Sequence, residues 1–64
     1  MVYQIKVYRY KKLKCVCKFT CGDDYLNAIK DDMLNVDVEY LDLNSVIIPK
    51  AEVKLIKIKT LSEN

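Results

Sequence analysis

Histidine and tryptophan are absent from this 64-residue chain; glycine, proline, phenylalanine and arginine occur once each, and no apolar run exceeds three residues. The lack of histidine removes the usual general base and the commonest metal ligand. A single glycine, Gly22, cannot build a phosphate cradle, and neither Ser45 nor Ser62 sits in a nucleophile elbow. We therefore expect a protein that is not an enzyme, takes no small-molecule substrate and holds no cofactor. Runs as short as Val46–Ile48 provide neither a signal-peptide core nor a membrane-spanning helix. The expected location is cytoplasmic, away from membranes. Cys15, Cys17 and Cys21 are odd in number and crowded, a poor basis for a disulfide framework, which points to a reducing compartment. They could offer thiolates to zinc, but with no fourth Cys or His the expectation is three small buried hydrophobes and no metal. Asp24 and Asp31 share a helix face, but as two solvated carboxylates they make a weak cation site. Asp23, Asp24, Asp31 and Asp32 are expected to serve solubility and the positive end of a helix.

What the chain does have is apolar residues, 52% of the total, and an uneven distribution of charge around a net +2. A chain this short lies near the lower limit for independent stability, where one core supplies about 3 to 5 kcal/mol, so association is a physical need to consider. Residues 1–60 are expected to form one domain and residues 61–64 a mobile tail. Residues 1–22 hold six Lys or Arg and no acid, whereas residues 23–44 hold seven Asp or Glu and one Lys. Ten lysines against one arginine, with few Gly or Ala, fit an AT-rich coding sequence. A virus or mobile element would be such a source, with host cytoplasm as the location.

Val2 to Tyr10 alternates, with Tyr3, Ile5 and Val7 on one face and Gln4, Lys6, Tyr8 and Tyr10 on the other. Leu13 to Cys21 alternates as well, and its row of Leu13, Cys15, Cys17, Phe19 and Cys21 meets the first only across a three-residue loop with a bulge. Asp23 or Asp24 is placed to cap a helix whose stripe is Tyr25, Leu26, Ile29 and Met33, and Asn35 to close it in the left-handed conformation. That helix is too short to cover a four-stranded sheet.

From Val36 to Lys59 two strands can be paired so that Val36, Val38 and Tyr40 face Thr60, Ile58 and Ile56. The same register sets Asp37, Glu39 and Asp42 against Lys59, Lys57 and Lys54, each pair adding roughly 0.2 to 1 kcal/mol. Leu41 and Leu43 then face Leu55 and Val53 on the opposite side of the sheet, and Val46, Ile47 and Ile48 form an apolar loop tip before Pro49. The expected fold is α+β, ββαββ: a four-stranded sheet of two hairpins with one short helix on one face, the first strand beside and parallel to the last. In element order and length it resembles the small immunoglobulin-binding bacterial domains and, more loosely, the ubiquitin-like grasp, with no shared motif.

These residues predict a small protein-interaction module, a homodimer that binds and thereby can inhibit a macromolecular partner. Its interface is expected at Leu41, Leu43, Val46, Ile47, Ile48, Val53 and Leu55. The alternative is a nucleic-acid-binding regulatory module using the basic first hairpin: Lys6, Tyr8, Arg9, Tyr10, Lys11, Lys12, Lys14 and Lys18.

Overall fold

The computed structural model describes residues 1–11 and 14–62. In chain order these form β1 (Val2–Arg9), β2 (Cys17–Cys21), α1 (Asp23–Leu34), β3 (Tyr40–Leu43), β4 (Val46–Pro49), a 3-10 turn at Lys50–Glu52 and β5 (Val53–Ser62). The fold is α+β, with two antiparallel sheets, β2-β1-β5 and β3-β4, and one helix. Among the described residues no helix is long and apolar enough to cross a membrane.

The first hairpin follows its alternation. Tyr3, Ile5 and Val7 pair with Cys21, Phe19 and Cys17, so the two apolar rows share a face, and Ile5 and Val7 are fully buried. The second strand is shorter than its pattern implied, because regular pairing ends at Cys17; just before it the Val16 N–H still donates to the Val7 carbonyl at 2.9 Å. The connecting loop expected there falls partly on Lys12 and Leu13, outside the described residues.

The second hairpin is not the one predicted. Instead of a long pairing of Val36–Leu43 with residues 53–60, β3 turns at once into β4, with Tyr40, Leu41, Asp42 and Leu43 opposite Pro49, Ile48, Ile47 and Val46. Both turn residues have positive φ, 53° at Asn44 and 72° at Ser45, the two-residue geometry that matches strand twist. Val46–Pro49 is therefore a strand, not a loop tip. A two-residue closure costs little chain entropy, and it outweighs the charge pairs that the longer register would have made.

β5 pairs with β1 and leaves its other edge without a partner among the described residues: Tyr3, Ile5 and Val7 lie opposite Thr60, Ile58 and Ile56. The first and last strands are thus neighbours, as expected, but antiparallel. The intervening β3-β4 hairpin and the 3-10 turn bring the chain back to the opposite end of β1. Leu61 and Ser62 belong to β5 rather than to a tail.

One core lies between the layers. Ile5, Val7, Cys17 and Phe19 come from the large sheet, Leu26 and Ile29 from α1, Leu41, Leu43 and Ile48 from the small sheet, and Val53 from the start of β5. The small hairpin thus covers the part of the sheet that a 12-residue helix cannot reach. Phe19 and Tyr25 meet edge to face at 5.6 Å.

The helix ends depart from expectation. Gly22, in extended conformation, is the N-cap, with Asp23 and Asp24 in the first turn. Asp23 is occupied elsewhere: its Oδ1 accepts the Tyr3 hydroxyl at 2.6 Å and its Oδ2 the Met1 ammonium at 3.3 Å. At the other end Asn35 is extended, not left-handed. Lys50 Nζ donates to the carbonyls of Asp32 and Asn35, each at 2.7 Å, putting a cation at the negative end of the helix dipole.

Two outcomes follow. Ser45→Gly removes the cost of a left-handed L-residue and is expected to raise stability by about 1 kcal/mol, read as a higher denaturant midpoint at constant slope. The Tyr3 hydroxyl, then the Met1 ammonium, hold the Asp23 carboxyl below its usual value, and the same hydrogen bond pushes the Tyr3 phenol up. A lowered carboxylate stabilises the fold above its unfolded pKa and loses that contribution as pH falls through the folded value. The advantage of wild type over Tyr3→Phe in thermal melts is therefore expected to be largest near neutrality and to fade on acidification below about pH 4.

Candidate functional site

The seven expected interface residues are divided by the fold. Leu41 and Leu43 are 1% exposed, and Ile48 and Val53 are buried with them, so these four line the chain's own core. Leu41, Leu43 and Ile48 face inward because β3 and β4 form a layer over the large sheet rather than an extension of it; Val53 joins them from the start of β5. Val46 and Ile47 remain exposed on the small hairpin, and Leu55 is 44% exposed.

An uncovered apolar groove lies elsewhere, between α1 and β5. Ile29, Met33 and Leu34 on one side and Leu55, Ile56 and Ile58 on the other border an open groove of about 450 Å³. Leu34 is 83% exposed and Ile58 44%. Ile56 and Ile58 share a face with Val7 and Ile5, but α1 crosses the sheet too far from β5 to shelter them. The other edge of β5 has no strand partner among the described residues. Only Val53 and Leu55 of the expected set border this groove. The helix stripe carried part of the signal, since Ile29 and Met33 belong to it; Leu34 lies outside that stripe, and the β5 isoleucines were paired with Tyr40 and Val38.

The basic residues are divided too. Lys6, Tyr8 and Lys18 stand on the sheet face away from α1, as expected. Arg9 is taken by an ion pair with Glu52, and Tyr10 and Lys11 border a separate depression with Ala51 and Glu52. Lys14 is exposed in the bend before β2, and Lys12 lies outside the described residues. Two residues that sequence reasoning did not place here join the face: Lys57 lies opposite Lys6 and Lys59 opposite Gln4. They had been matched with Glu39 and Asp37 in the hairpin that does not form. Lys57 Nζ sits 5.4 Å from the Tyr8 ring centroid, within cation–π range.

The cysteines stay free thiols. Cys15 Sγ donates to the Cys17 carbonyl at 2.8 Å, and Cys17 Sγ to the Leu43 carbonyl at 3.5 Å, joining the two sheets. Burial pushes the Cys17 thiol up; burial, then the Asp23 charge, does the same to Cys21. Among the described residues no group of three or more potential ligands is placed to hold a metal ion.

No family model, curated protein or solved structure matches the chain. The thiols supply a direct check of the packing: in native alkylation at neutral pH, Cys17 is expected to react last, at the rate of fold opening, and all three to react together in denaturant. Equal native rates at Cys15 and Cys17 would contradict the buried position.

Proposed function

We propose that this chain is a small non-enzymatic protein-interaction module that associates with a second copy of itself through the α1–β5 groove and the free edge of β5. The observation that carries this reading is the exposed Leu34 and Ile58, with the half-buried Ile56 between them, beside a strand edge that has no partner among the described residues. Exposed edges of long strands attract further strands, and β5 is the longest strand of the fold. A two-fold axis lets one such patch satisfy itself. The small size of the core supplies the energetic motive, since a chain of 64 residues gains stability from any apolar surface it can share.

The position of the patch makes the test cleaner than one on core residues. Leu34 and Ile58 are exposed, so Leu34→Glu with Ile58→Glu is expected to leave a folded protein, checked by circular dichroism. Solution mass at low micromolar concentration should fall from twice 7.5 kDa to 7.5 kDa. A wild-type protein that sediments as a monomer, or a double variant that stays dimeric, would overturn the reading.

A further inference from the structure

We infer that the uncovered face of the β2-β1-β5 sheet is a binding site for the backbone of a single-stranded nucleic acid. Across that face Lys18, Lys6 and Lys57 stand directly opposite one another on three adjacent strands, and Lys59 lies beside them across from Gln4. Like charges placed directly opposite each other destabilise a sheet. The protein nonetheless sets three in a row, and the opposing charge must come from outside: β1, β2 and β5 contain six cations and no acid. The acids of the described residues lie on α1, the segment after it, β3 and the 3-10 turn. Of the six cations, Arg9 alone has an ion-pair partner among the described residues, Glu52.

Lysines often guard sheet edges against unwanted pairing, but that explanation fails for Lys6. Its strand, β1, is central and paired on both sides, so it has no edge to guard. Gln4, Lys6, Lys57 and Lys59 instead border a shallow depression of about 310 Å³. The Tyr8 ring flanks it, held beside Lys57. Cations that follow a phosphate backbone, next to an aromatic ring on which a base can stack, are the two components of single-strand recognition. The platform is too broad to enter the major groove of a duplex, which admits a helix or a two-stranded ribbon, because this face is three strands wide with a second layer behind it. The lysine row lies on the face of the sheet away from the α1–β5 groove, and Ile58, on the edge strand, borders both depressions.

The test is fluorescence anisotropy of the intact chain with a mixed-sequence single-stranded oligonucleotide, over a salt series. Four lysine–phosphate contacts predict a slope of log affinity against log salt of about −3, and Lys6→Gln with Lys57→Gln should reduce its magnitude by about 1.4. The same double variant should melt at or above the wild-type temperature, because the opposed charges are gone, so lost binding cannot be ascribed to unfolding. Tyr8→Ala should weaken binding with the salt slope unchanged. The inference is overturned if wild type shows no salt-dependent binding or if the lysine variant keeps the full slope. It is overturned equally if duplex DNA or heparin binds as tightly as the single strand.

Discussion

The structure depends on β1 having a hydrogen-bonded partner along both edges. Ile5 and Val7 are completely enclosed, which requires apolar neighbours on both flanking strands as well as a layer above. The first hairpin provides Phe19 and Cys17 on one side; only β5, with Ile56 and Ile58, provides the other. β5 pairs with β1 along one edge only, and the segment between α1 and β5 pairs with itself rather than with the other edge. It does so as the shortest of hairpins, whose Leu41, Leu43 and Ile48 close the core from above. The apolar residues that seem surplus in the sequence are mostly the second layer of this small molecule.

Local features were the legible ones. The alternation of β1, the even register with β2, the helix boundaries within a residue and the α+β class all follow from patterns spanning a few residues. The partner of β5 did not, because two competing pairings were both coherent. One matched Lys54, Lys57 and Lys59 to three acids; the other matched Ile56 and Ile58 to a buried row. The charge pairs are more visible in a sequence, but each is worth at most about 1 kcal/mol, and hydrophobic burial over a strand is worth more. Asn44 and Ser45 held the deciding clue, a pair able to adopt left-handed conformations, yet without a glycine the turn was read as part of a longer loop. The same error hid the full extent of the basic face, since its β5 lysines had been spent on partners they never meet. It also placed Leu41, Leu43 and Ile48 on a surface when they are interior.

The two surfaces divide the molecule by layer. The groove belongs to the side where α1 falls short of β5, and the lysine row to the side over which none of the described elements lies. Their separation follows from strand geometry, because successive residues of β5 point to opposite faces: Ile56 and Ile58 one way, Lys57 and Lys59 the other. A single strand therefore contributes to both, and a shift of its register by one residue would exchange them.

Segregation of charge by layer has a further consequence. With a net charge of only +2, the molecule has little monopole to draw it toward anything, but Lys6, Lys18, Lys57 and Lys59 on one sheet face, set against the carboxylates of α1 and β3, give it a dipole moment. Such a body rotates in an external field before it translates, so any highly charged surface it drifts past meets it in a preferred orientation.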